Sequence, residues 1–358
     1  LLSERDPERV VAFTESLRKA LAAPVSFAGE ELTLAPAIGL VLADPEDKVT
    51  REELVHNAEV AMYQAKRLGG DHVEVFKPAM LTARTERLLI EGELSRALER
   101  GEIKIDYQPV VRLADGVVAG FAAMPRWDHK RYGRRSPAEF WTSAEQCGLG
   151  LEFGRFALDA AAQQLAQWQR LLPREAALFV NVPVTAQQFG RHDLLLGVKT
   201  TLARFFVARG SLMLAVTEQT VMQNPEQAET MLTRLHELGA GLALAEFGSA
   251  HGSLAYLQRL PFDMIMLDPE LMRWPDRTHR RSAILRSLAQ LGAEADLDLV
   301  VDGVDTPAAA AELYRIGCRL GRGTALGEPL PPDAAERVLT TTRPEIAVRR
   351  RGLFGVRA

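Results

Sequence analysis

Cysteine is nearly absent: only Cys147 and Cys318 occur in 358 residues. A disulfide framework is thereby excluded, and a reducing, cytoplasmic setting is expected. No apolar run approaches the roughly 20 residues of a membrane-spanning helix, and no secretory leader is visible. A cationic excess is missing too, since the net charge is -4, which argues against a general nucleic-acid surface. The seven histidines show no ligand spacing such as H-x-x-x-H. An initiating methionine is also absent; the chain begins at Leu1, as a fragment would, which leaves upstream membrane or sensory segments open. What remains is 47% hydrophobic and 25% charged, the composition of a soluble globular protein long enough for two domains and a large core.

Residues 1–79 read as an α/β piece. Asp6-Pro7 opens a helix to about Ala22, with Val10, Val11, Phe13, Leu17 and Leu21 on its buried side. Strands are expected at 25–27 and 34–41. Thr50 and Glu53 form a capping box for a helix through Leu54, Ala58, Met62 and Ala65, closed by Gly69-Gly70, and a strand follows at 72–76. A helix within 80–101, with Leu88, Leu89, Leu94 and Leu98 on one face, reads as a rigid connector. The remainder is organised around Gly241–Asp268, where an apolar run turns at Phe247-Gly248 into a helix that Pro261 stops. A second apolar run then ends at Asp268. This is a β-loop-α-β unit, the repeat of (β/α) barrels, in which chemistry sits past the carboxyl ends of the strands.

The spacing F-G-x-x-x-x-S-L-x-Y-L-x-x-L-P-x-D-x-x-x-x-D over 247–268 resembles the EAL domain, the cyclic di-GMP phosphodiesterase module. The resemblance runs over 102–342 and implies a TIM-like (β/α)8 barrel. Its strands would lie at 103–107, 117–123, 177–182, 212–217, 241–245, 263–267, 298–302 and 319–322. The text N-A-E-V-A-M-Y-Q-A-K-R-L-G-G-D, 57–71, resembles the closing helix of the GGDEF domain, the diguanylate cyclase module. Residues 1–79 would then be the C-terminal part of such a domain, lacking its signature. The tail 343–358, with Arg349, Arg350, Arg351 and Arg357, reads as solvated; phospholipid or nucleic-acid contact is the alternative.

The EAL resemblance implies two divalent metals held by carboxylates and an asparagine. At those positions stand Ala122, Asn181, Ala215, Ala245 and Glu246, with Met266 for the lysine that supports the attacking water. Glu218, Asp302 and Asp305 retain acids, and Arg322 replaces a glutamine. No catalytic residue, metal or cofactor is therefore expected, and neither Mg nor Mn. Gln108, Met124, Arg126, Pro137 and Pro329 fall where the family contacts or shapes the nucleotide, and Arg126 and Arg322 are the cations available to its phosphates.

Each position also has a plainer reading. Arg126 can clamp a loop, and Pro137 can be a first-turn helix residue. Asn181 and Glu218 can satisfy loop backbone, and Asp302 and Asp305 can cap the helix at Thr306-Pro307. His251 reads as a lone surface histidine. Three functions follow: an inactive regulator that binds cyclic di-GMP without metal, a ligand-free protein-interaction scaffold, or a residual phosphodiesterase. The first is expected, with a protein partner, a homodimer in view and no nucleic acid.

Overall fold

The computed structural model describes residues 6–23, 25–27, 30–32, 34–43, 49–67, 71–129, 133–135, 137–146, 148–173, 177–191, 193–248, 255–273 and 280–342. Gly69, Gly70, Cys147, the 249–253 loop with His251, and the 343–358 tail lie outside the described residues, as do the side chains of Leu88, Leu89 and Pro137. Among the described residues no helix is long and apolar enough to cross a membrane. The chain divides into two compact units, 1–94 and 95–358.

The first unit holds α1 (Pro7–Leu21), β1 (Val25–Phe27), β2 (Glu30–Leu32), β3 (Ala37–Leu40), α2 (Arg51–Arg67) and β4 (His72–Val75), and α3 (Pro78–Glu99) begins in it. β1 and β2 form an antiparallel pair; β3 and β4 pair in parallel. Asp6 caps α1 by accepting from the Glu8 N–H, and Thr50 and Glu53 close the expected capping box on α2. Gly39 is what lets α2 lie on β3: a Cβ there would stand 2.0 Å from the Ala58 carbonyl oxygen. One helix face differs from expectation. α1 buries Val10 and Thr14, whereas Phe13 is 53% exposed and Leu17 and Leu21 are exposed as well. α2 buries Val60, Ala61 and Ala65, while Leu54, Ala58 and Met62 are half-buried.

The second unit runs through β5 (Ile103–Arg112), β6 (Val118–His129), β7 (Gly133–Arg135), α4 (Pro137–Gln146), α5 (Gly150–Leu171), β8 (Phe179–Pro183), α6 (Ala186–Phe189) and α7 (Asp193–Phe205). It continues with β9 (Leu212–Thr217), α8 (Glu218–Gln223), α9 (Pro225–Leu238), β10 (Gly241–Phe247), α10 (Ala255–Arg259), β11 (Met264–Leu267) and α11 (Glu270–Arg273). It ends with α12 (Arg280–Glu294), β12 (Asp298–Val301), α13 (Pro307–Ile316), β13 (Leu320–Gly321) and α14 (Pro332–Thr342). The order β5-β13-β12-β11-β10-β9-β8-β6, closed by β5 on β6, is an eight-stranded barrel, with β7 appended to β6. Every expected strand is present. β5 runs antiparallel to both of its neighbours, because a short turn rather than a crossover helix joins it to β6. That turn is Asp115-Gly116, with Gly116 at φ +71° and the Asp115 carboxylate accepting from the Val117 N–H.

Two apolar layers follow from the period-two alternation of the strands. The outer layer packs strands on helices and is centred on Tyr107, Phe121 and Trp168, whose rings meet edge-on or tilted at 4.6–6.4 Å. The inner layer fills the barrel with Val110, Met213, Ala215, Ala243, Met264, Met266, Val300 and Leu320. Alternation along β5 therefore sends Ile103, Ile105 and Tyr107 outward, and Lys104, Asp106, Gln108 and Val110 to the other face.

Candidate binding site at the barrel mouth

β6 and β8–β13 are parallel, so the strand ends carrying Asn181, Ala215, Ala245, Met266, Asp302 and Arg322 open on one side of the barrel. Ala122 pairs in register with Asn181 on β8 and Gln108 on β5.

Asn181 is buried, and its amide N–H groups lie 3.6 and 3.5 Å from the sulfurs of Met264 and Met266. Its Oδ1 is buried with no hydrogen-bond partner among the described residues. Thioether sulfur is a weak acceptor, so the amide is poorly satisfied in an otherwise apolar interior.

Arg322 forms a fork on Asp302, with Nε to Oδ1 at 2.7 Å and Nη2 to Oδ2 at 2.6 Å. It is not the unengaged phosphate cation expected, because the buried Asp302 beside it claims the Nε–Nη2 edge of the guanidinium. Burial pushes the Asp302 carboxyl above the ordinary aspartate range, against the opposing pull of Arg322. Asp305 is exposed and does not cap α13. Its Oδ1 accepts from the backbone N–H and hydroxyl of Thr324 at 3.2 and 2.9 Å, while Thr306 is the cap.

Glu218, the first residue of α8, is buried and accepts from the Gly248 N–H at 3.0 Å, tying α8 to the end of β10. Gly248 sits at φ +95° and Glu246 at φ +55°, so the chain leaves β10 through a left-handed turn. Glu246 is exposed at that turn, yet desolvation, then Asp268 and Asp302, raises its carboxyl. Gln108 is buried and donates from Nε2 to the Gly327 carbonyl at 3.0 Å. With the Tyr107–Leu330 bridge it fixes the loop that carries half-buried Pro329. Pro137 starts α4.

Met124 is half-buried and pairs across the ladder with Asp106. Arg126, two residues on, lies with its Nε 3.6 Å from the Asp106 carboxylate and 3.4 Å from that of Asp128. Asp106 is not among the residues singled out from sequence: the I-K-I-D-Y-Q-P alternation puts it on the face opposite Ile103, Ile105 and Tyr107 without saying what that face meets.

Two divalent ions need several oxygen ligands around one point. Here Ala122, Ala215, Ala245 and Met266 offer no oxygen side chain, Asp302 is taken by Arg322, Glu218 is bound to the Gly248 N–H, Glu246 is exposed and Asn181 faces thioethers. Among the described residues no three His, Cys, Asp or Glu side chains come together. This donor set does not fit a two-metal centre.

A family profile described as the EAL domain matches residues 91–329. The bifunctional diguanylate cyclase/cyclic di-GMP phosphodiesterase MucR of Pseudomonas aeruginosa is 32% identical over 93% of this chain and 48% of its own length. The cyclic di-GMP phosphodiesterase NbdA of the same organism is 32% identical over 95% of this chain and 43% of its own. The chain thus spans less than half of these relatives. Among solved structures, the PaMucR phosphodiesterase in a c-di-GMP complex superposes with a TM-score of 0.65 at 31% identity, covering 69% of this chain and 99% of that one. The FimX EAL domain of Pseudomonas aeruginosa bound to c-di-GMP, at 21% identity and TM-score 0.60 over 67% of this chain and 96% of its own, shares the fold.

Proposed function

The chain belongs to the EAL domain family of cyclic di-GMP signalling, and from that premise we propose that its barrel binds cyclic di-GMP without metal and does not hydrolyse it. One observation carries this reading. The barrel interior that a two-metal hydrolase would line with carboxylates is lined by Met213, Ala215, Ala243, Met264 and Met266, and its mouth holds guanidinium groups. A dianionic ligand is then met by Arg126 rather than by cations held on acids. Residues 1–79 are the C-terminal part of a GGDEF-type domain in this proposal. The alignment with the bifunctional relative, which extends well beyond 91–329, supports that assignment. Occupancy passes to a protein partner, with homodimerisation as one route.

Titration of the purified chain with cyclic di-GMP, in EDTA and again in Mg²⁺ or Mn²⁺, should give equal affinities and no linear product. Linear product above a no-protein control, abolished by Asn181→Ala, would refute the reading. The scaffold alternative has one observation in its favour: Arg322 and Arg126 both already face carboxylates. Affinity undetectable at high micromolar ligand would leave the scaffold as the better account.

A further inference from the structure

We propose that Asp106 is the positioning residue for Arg126, its buried carboxylate holding the guanidinium by the Nε edge so that the terminal nitrogens remain for an anion. This rests on the ligand reading above. The register of the β5–β6 ribbon sets the geometry. Asp106 pairs with Met124, so Arg126, two residues further along β6, lies diagonally across the same face. Asp106 is 1% exposed, and a carboxylate so deeply buried is favoured by a neighbouring cation. Arg126 is a cation beside it, its side chain 20% exposed, with Nε 3.6 Å from Asp106 Oδ2.

Both carboxylates near Arg126 make their closest approach at Nε, and neither forms a hydrogen bond with it. The fork of terminal nitrogens is therefore not consumed, in contrast with Arg322, whose fork is closed on Asp302. Asp128 is the weaker holder, because its side chain is 60% exposed and its field is screened by solvent. A long side chain already confined in this way loses less freedom when it grips a phosphate.

The test uses the whole chain and Asp106→Asn, which keeps the size and removes the charge. First, ¹⁵N relaxation of the Arg126 Nε–Hε group without ligand should report a more mobile guanidinium in D106N than in the parent. Equal rigidity would overturn the proposal whatever the protein binds. Second, D106N should weaken cyclic di-GMP binding by about five- to tenfold in the parent and not at all in the Arg126→Ala background. Tighter binding by D106N would mark Asp106 as a competitor for the guanidinium, and an equal loss in both backgrounds would mean it acts elsewhere; either result overturns the proposal. Asp128→Asn should change affinity less than twofold by the same argument. If the parent binds no cyclic di-GMP, the ligand reading fails, while the relaxation measurement still decides the positioning role. Should D106N not fold, Asp106→Glu, which keeps the charge one methylene further out, should leave Arg126 confined and serves as the second comparison.

Discussion

The barrel's interior and its mouth treat charge in opposite ways. Inside, six of the eight strands contribute fully buried apolar side chains, and Asn181 on β8 is a buried polar group among Met213, Ala215, Ala243, Met264 and Met266. At the mouth the charged groups remain, but as carboxylate–guanidinium pairs: Asp302 with Arg322, and Asp106 with Arg126. In a low-dielectric barrel, clustered acids without metal repel one another and lose their hydration. Alanine and methionine remove that cost, an arginine stands beside Asp106 and another beside Asp302, and the buried Glu218 accepts from the Gly248 N–H. Under the metal-free binding proposed above the two regions act as one site, and each can be attacked separately.

Breaking the mouth should produce the largest effect. Arg322→Gln leaves Asp302 buried without its cation, at a cost of about 3 kcal/mol of stability at neutral pH. The sign with pH follows from the Asp302 carboxyl, which burial already holds above the ordinary range and which the loss of Arg322 would raise further. A raised folded value stabilises the fold fully below the ordinary aspartate range and is lost as pH rises through the folded value. The deficit of R322Q should thus be greatest near pH 8 and shrink towards pH 5. Urea denaturation at both pH values checks this; a deficit that grows on acidification contradicts the pairing.

The second pair is sharpened by binding rather than by stability. Arg126 has an open fork where Arg322 does not, so Arg126→Ala should weaken cyclic di-GMP binding by about ten- to a hundredfold. Arg126→Lys should recover part of that, since an ammonium offers a point charge. Calorimetric titration decides it. Equal affinity for R126A and its parent would put the ligand's contacts elsewhere.

Much of this contrast is legible in the chain itself. Hydrophobic alternation and the family resemblance carried by the F-G…L-P-x-D spacing lead to the barrel and all eight strands, and Ala122, Ala215, Ala245 and Met266 count as replacements through that resemblance. The antiparallel direction of β5 is also readable, from the Asp115-Gly116 turn that leaves no room for a crossover helix. Partnerships are not. That Arg322 closes on Asp302, and that Asp305 serves Thr324 rather than α13, depends on loops brought together only by barrel closure. The exposed Phe13–Leu17–Leu21 stripe was misread because an apolar i, i+4 pattern marks a contact face without saying what covers it. Asp106 escaped because nothing in a strand's alternation tells a barrel interior from a solvent face.

The interior yields the smallest effect and a test of opposite sign. Asn181 is 2% exposed, its N–H groups meet only sulfur among the described residues, and its Oδ1 has no partner there. A buried amide in that state forfeits the free energy of its lost water contacts, and replacing it by an apolar side chain of similar shape is neutral or favourable. Asn181→Leu should therefore raise stability by about 1 kcal/mol, seen as a higher urea midpoint with an unchanged slope. A function that retains a destabilising amide inside an apolar barrel needs it for a ligand, so the same variant should bind cyclic di-GMP more weakly than its parent. Should N181L prove less stable, the amide must be satisfied in solution by water, and the interior would be wet enough to admit ions as well.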